Sequence, residues 1–206
     1  MSPVDSVRFD DDLSSIDPYI AEQYRAALET RDRAPHRTHL ESAVSRFAGA
    51  SLEVRLEIVG FEYHVVLIAV QEDGVPIITN LSPSTIPTRP FAGRLGDLVE
   101  YLLPESAAPP RFADNLARLH FDDGLGGDAD TLDGMVFFLR IRTPTAVRET
   151  HLYGHTYEAF HGSWHRPADP TDGPRWDAIT AVLAAWRELM RAGPQIVQTL
   201  APAAPP

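Results

Sequence analysis

The chain is 206 residues long, has no cysteine and no lysine, and carries a formal net charge of −11. These facts exclude disulfides, thiolate metal sites, Fe–S clusters, cysteine nucleophiles, Schiff-base lysines and P-loop lysines together. The negative charge repels phosphate backbones and anionic lipid, and no arginine-rich run opposes it locally, so nucleic acid is not expected as a partner.

Hydrophobic residues make up 44% and charged residues 23% of the chain, a globular balance. No window approaches the roughly 20 apolar residues of a membrane span, and no basic, apolar leader opens the sequence, so a cytoplasmic protein without a membrane partner is expected. The length suits one domain over 1–206, with mobile tails at about 1–12 and 201–206, where no apolar face is offered for burial. No repeat at 20 to 50 residues suggests a solenoid or propeller.

In chain order, Asp17-Pro18 has the form of an N-cap followed by proline at the first helical position, and Ile20, Tyr24, Ala27 and Leu28 share a stripe, predicting a helix near 18–31. Thr38 and Glu41 have capping-box spacing ahead of Leu40, Ala43, Val44 and Phe47, predicting a second helix near 38–48. From Leu52 the period becomes two: Leu52, Val54, Leu56 and Ile58 alternate with Glu53, Arg55 and Glu57, the pattern of a half-buried strand. The run 61–70 is apolar on both parities in its second half, as in a strand covered on both faces, and Glu72-Asp73-Gly74 turns the chain into 76–81. An antiparallel meander over 52–81 follows.

Leu95, Leu98, Val99 and Leu102 before Pro104 predict a third helix near 93–103, and Phe112, Leu116 and Leu119 a fourth near 111–120. The glycine- and aspartate-rich run 122–134 suits a surface loop; it lacks the register and the glutamate of a calcium loop. Met135 to Arg142 is a strand, and 147–165 continues the strand region. Gly173-Pro174 opens a last helix near 174–192, striped by Trp176, Ile179, Val182, Leu183, Trp186 and Met190 and stopped by Gly193-Pro194. Strands and helices without strict alternation predict the α+β class: an antiparallel sheet from 52–81 and 135–165 packed with helices.

Segment 149–165 contains four of the chain's eight histidines. A helix would turn the pair His161 and His165 about 240° from the pair His151 and His155. Gly154 and Gly162 disfavour that helix, while the interspersed threonine and aromatic residues favour an extended chain. In an extended chain His151, Tyr153, His155, Tyr157, His161 and His165 share one parity and can face one pocket. Candidate catalytic groups are His151, His155, His161, Tyr157 and Glu158, since imidazole titrates near neutrality and a carboxylate can orient it. Candidate metal ligands are His151, His155, His161 and His165, a nitrogen set that suits a divalent transition metal, with Glu149 or Glu158 as a neighbouring carboxylate.

The sequence therefore leads to the expectation of a small-molecule enzyme or binding protein with a His/Tyr-lined pocket from 149–165, dependent on a divalent metal if the histidines ligate. The alternative is an acidic interaction module of immunity or chaperone type that masks a basic partner, motivated by the charge. A homodimer is compatible with the sequence, although no heptad specifies one. Arg140 and Arg142 share a parity and can clamp a carboxylate or phosphate, whereas His64 in an apolar strand has the setting of a hydrogen-bonded core histidine. Ser163 lacks the Gly-x-Ser-x-Gly elbow of a hydrolase.

Overall fold

A computed structural model describes residues 13–34, 37–60, 63–71, 76–81, 98–103, 111–127, 131, 134–154 and 172–200. The tails expected at 1–12 and 201–206 lie outside the described residues. Asp17 caps the first helix as its sequence implies: its carboxylate accepts a hydrogen bond from the Tyr19 amide at 2.8 Å, and Pro18 takes the first turn. Helix α1 runs Pro18–Asp32 and buries Ile20, Ala21, Tyr24 and Ala27. Helix α2 runs Arg37–Arg46, beginning one residue ahead of Thr38, and buries Leu40 and Ala43.

The meander is present. Strands β1 (Leu52–Val59), β2 (Tyr63–Val70) and β3 (Pro76–Leu81) pair antiparallel, with Leu52 opposite Val70 and Ile68 opposite Ile78. Strand β4 (Leu98–Leu102) adds to β3. Over 98–102 this corrects the helix expected near 93–103, of which 93–97 lie outside the described residues. Leu98, Val99 and Leu102 fit a helical stripe, but Val99, Tyr101 and Leu103 are buried in the core on one side of the sheet while Glu100 is buried on the other. A strand covered on both faces imitates helical spacing because both parities carry apolar residues.

Helix α3 is Phe112–Ala117, the centre of the helix expected near 111–120. Gly124–Gly127, expected as loop, forms a short strand β5 that pairs parallel with β7. Strands β6 (Met135–Arg142) and β7 (Val147–Gly154) pair antiparallel, and β6 continues onto β1. Of the strand region expected over 135–165, residues 155–165 lie outside the described residues. Helix α4 (Gly173–Arg191) is the helix expected near 174–192. A further strand, β8 (Gln195–Leu200), follows Pro194 and pairs with β4, so the chain re-enters the sheet where the sequence signalled only a stop.

The sheet order is β5-β7-β6-β1-β2-β3-β4-β8, antiparallel apart from β5 with β7, and with its helices this is an α+β fold. Helices α3 and α4 cover one face, where Val54, Leu56, Ile68, Phe137 and Leu139 meet Ile179, Leu183 and Trp186. Helices α1 and α2 cover the other face: α2 packs on Val65, Leu67 and Ala69 of β2, α1 on Val136 and Phe138 of β6 and Tyr153 of β7. Leu56, Val65, Leu67, Ile179, Leu183 and Trp186 are all buried, as their stripes require. Among the described residues no helix is long and apolar enough to cross a membrane.

Candidate functional site

Strand alternation places Glu53, Arg55, Glu57 and Val59 of β1 on the face under α1 and α2. The alternation in the sequence has the form of a face open to water. Instead Glu53 and Glu57 are 2% and 0% exposed, because the two helices close over them. The register then writes the chemistry of this face in rows across the sheet. One row is Tyr153, Val136, Val59 and Tyr63; the next is His151, Phe138, Glu57 and Val65; the third is Glu149, Arg140, Arg55 and Leu67.

Glu57 organises the middle of the face. Arg55 Nε approaches its Oε1 at 3.2 Å and Arg37 Nη1 its Oε2 at 3.3 Å, while the Tyr63 hydroxyl donates to Oε2. Burial, then the Glu57 charge and hydrogen bond, push the Tyr63 phenol well above its ordinary range. Arg37 loses hydration through burial, but Glu57 and Glu41 outweigh that loss and raise its pKa. One row further, Arg142 holds Glu53 at 2.5 Å and donates to the carbonyls of Phe47 and Ala48 at 2.6 and 2.8 Å, which ties the end of α2 to the sheet. The clamp expected of Arg142 is thus closed by a carboxylate of the chain itself.

His151 is buried on β7. Its Nδ1 lies 2.8 Å from the Tyr24 hydroxyl and its Nε2 3.2 Å from Glu149 Oε1, and its ring stacks on Tyr24 and meets Phe138 edge-on. A neutral ring protonated at Nε2 donates to Glu149 and accepts from Tyr24, whereas an imidazolium donates to both. Burial alone would raise the Glu149 pKa; the His151 hydrogen bond and charge, with Arg140 and Arg55, overcome it and lower the pKa below its ordinary value. His151 therefore bridges α1 to β7. His155, His161, His165, Tyr157 and Glu158 lie outside the described residues, and among the described residues no group of three or more His, Asp or Glu is arranged to hold a metal ion.

Tyr153, two residues along β7, faces a different space. A cleft of about 300 Å³ runs along α1 and is lined by Tyr19, Gln23, Ala27 and Thr30 on the helix side and by Val59, Gly134, Val136 and Tyr153 on the sheet side. The Tyr153 hydroxyl donates to Thr131 O at 3.1 Å, accepts from the Gly134 amide at 3.1 Å, and lies 3.2 Å from the Tyr19 hydroxyl. Gly134 is required here, since a Cβ would come 2.8 Å from the Tyr153 ring. His151 does not line the cleft, so the structure separates two groups that the shared parity had joined.

Sequence patterns missed Tyr19, Tyr24, Arg37 and Glu57. The only signal for Glu57 was a charge in an otherwise β-favouring strand, and the helical stripe of α1 already contained Tyr24 without indicating its hydroxyl partner. His64 is buried on the opposite face, in the layer under α3 and α4. Comparison with protein families, with curated proteins and with solved structures finds no match for this chain.

Proposed function

We propose that this chain binds a small polar molecule in the cleft along α1, with the Tyr19 hydroxyl, held by Tyr153, as the group that orients it. The observation that carries this reading is the direction of the Tyr153 hydrogen bonds: its hydroxyl gives its proton to Thr131 O and accepts from Gly134 N, so Tyr19, 3.2 Å away, is the donor between the two hydroxyls. Tyr19 then presents acceptor lone pairs to the cleft, beside the Gln23 amide and over an apolar floor of Ala27, Val59 and Val136. A few fixed polar groups over apolar walls are what small-ligand sites use, and the volume is at the small end of their range of about 300 to 1,000 Å³. The ligand favoured is a compact molecule with at least one hydroxyl or amino donor.

If a reaction accompanies binding, the Glu149–His151–Tyr24 chain is the proton-holding group nearest in sequence to Tyr153, and a divalent metal would have to be supplied with histidines of 155–165. A screen of small polar compounds by protein-observed NMR tests the reading, with metal content measured on protein that carries no histidine tag. Shifts should map to Tyr19, Gln23 and Tyr153, and Tyr19→Phe should weaken the best compound about tenfold, the loss of one ligand hydrogen bond. Compounds that bind only elsewhere, or with unchanged affinity in Tyr19→Phe, would remove the cleft from consideration.

A further inference from the structure

We propose that Arg140, with Arg55 and Arg31, forms a second site, independent of the cleft, that binds a small oxyanion: a carboxylate- or phosphate-bearing molecule. Arg140 and Arg55 face each other directly across β6 and β1, on the face under α1 and α2. Like charges in that position repel, so an unliganded sheet gains nothing from the pairing. Arg55 has an answer to its charge in Glu57 at 3.2 Å. Arg140 differs: its Nε is buried without a hydrogen-bond acceptor among the described residues. Its cross-strand neighbour Glu149 acts on it only through space and gives Oε1 to His151 instead.

The surroundings add charge of the same sign. Arg31, at the end of α1, lays its guanidinium over the Phe138 ring at 4.7 Å from the centroid, one row from Arg140 on the same strand and face. Arg37 reaches Glu57 from α2. Within this part of the face four guanidinium groups (Arg31, Arg37, Arg55, Arg140) meet four carboxylates, of which only Glu57 and Glu149 are buried or nearly so; Asp32 and Glu41, which pair with Arg31 and Arg37, are more than half exposed. A guanidinium with a buried Nε and a half-buried body offers its fork to an oxyanion that enters past the end of α1, and bidentate acceptance by two oxygens is the geometry that such a fork matches.

The probes are inorganic phosphate and succinate, each compared with chloride at matched ionic strength, on the full chain and on Arg140→Met. Thermal unfolding should rise by roughly 3 °C with a probe present at ten times its Kd. The Nε–Hε resonance of Arg140 should shift in step with it. Arg140→Met should lose the response to both probes, read as the difference in melting temperature with and without probe, so that any change in the melting temperature of the variant itself, which also loses the Arg140 charge near Glu149, does not enter the comparison. A response to phosphate alone assigns a phosphate ligand, a response to succinate alone a carboxylate, and both support the site. Stabilisation no larger than that given by chloride, or equal in Arg140→Met, overturns it. If Arg140→Met does not fold, the wild-type resonance decides: a signal unmoved by both probes overturns the proposal. Loss of binding in the α1 cleft by Tyr19→Phe leaves this outcome untouched, so the two sites fail separately.

Discussion

The face of the sheet under α3 and α4 and the face under α1 and α2 are made by the same strands at alternate residues, yet they differ in chemistry. Under α4 the contacts are apolar: Val54, Leu56, Phe137, Leu139, Ile179, Val182 and Leu183 close on one another. Under α1 and α2 the apolar contacts are split into two smaller clusters, one around Phe47 and Leu67 and one around Tyr24 and Phe138. Between and beside them lie Arg55, Glu57, Tyr63, Arg140, Glu149 and His151. Burying these groups costs desolvation that apolar residues of similar size would avoid. The first face is organised for stability; the second gives up stability to place charge and hydroxyl groups, and both proposed ligand sites lie on it.

The largest expected effect breaks the comparison on its apolar side. Leu183 and Trp186 are buried in the α4 layer, and Leu183→Ala should lower unfolding free energy by about 2–5 kcal/mol and Trp186→Ala by about 3–5 kcal/mol. Chemical denaturation measures this. Neither change should alter which compounds bind at Tyr19 or which anions bind at Arg140, provided the protein is studied well below its new melting point. A ligand response lost together with stability would mean that the faces are not separable.

On the charged side, Glu57→Gln removes the one carboxylate that Arg37, Arg55 and Tyr63 share. Breaking such a buried pair typically costs about 3–5 kcal/mol, and about 3 kcal/mol is expected because Arg37 and Arg55 retain some contact with water. Arg55→Met in the same molecule should recover part of the loss, since it removes a charge left without its partner. Independent, additive losses in a double-mutant cycle would show that Glu57 does not organise the face.

How much of this division was legible in the sequence depends on which period each strand carries. The apolar stripe of α4 and the alternation of β1 are local patterns, and both elements lie where they predict. The fate of the alternate residues was not local. Glu53, Arg55 and Glu57 look like a solvated face until α1 and α2 fold back over them. Strand β5 was hidden for another reason: glycine has little strand preference, and Gly126 and Gly127 are needed only because a Cβ would meet Asp172 at 2.0 Å and Tyr153 at 2.9 Å. Histidine parity in 149–154 correctly set His151 and Tyr153 on one face, but parity says nothing of the helix above them. Tyr24 takes up His151 from α1 while Tyr19, five residues earlier on that helix, carries Tyr153 into the cleft wall.

A smaller effect should appear at high pH. The Tyr63 phenol has its pKa raised by burial and by Glu57, and Tyr101 by burial, so in the folded state both keep their protons above the ordinary value of 10.0. The unfolded chain loses those protons near that value and then binds fewer protons than the folded chain, so stability falls as pH rises beyond it. Phenolate absorbance should therefore show Tyr63 and Tyr101 titrating above the ordinary value, and Tyr63→Phe and Tyr101→Phe should each flatten part of the alkaline loss. Because Tyr63 belongs to the charged face and Tyr101 to the apolar one, the two single variants divide the alkaline slope between the faces.

The smallest effect is expected at the other end of the pH scale, and it concerns the link between β7 and α1. Glu149 has a folded pKa below its ordinary value of 4.5: burial opposes ionisation, but the hydrogen bond and charge of His151, with Arg140 and Arg55, favour it more. A carboxyl with a lowered folded pKa contributes stability that is complete above its unfolded pKa and is lost as pH falls through the folded one. The window therefore lies below about 4.5, and a plot of unfolding free energy against pH should bend downward there. Glu149→Gln keeps the shape and an acceptor for His151 Nε2 but cannot titrate, so it should remove its share of the bend by lowering stability at neutral pH while leaving the acid end little changed. If anions bind at Arg140, phosphate should also bind more tightly to Glu149→Gln than to the wild type, because the competing carboxylate charge directly across the β6–β7 ladder is gone. An unchanged acid limb would mean that Glu149 is not held ionised by its neighbours.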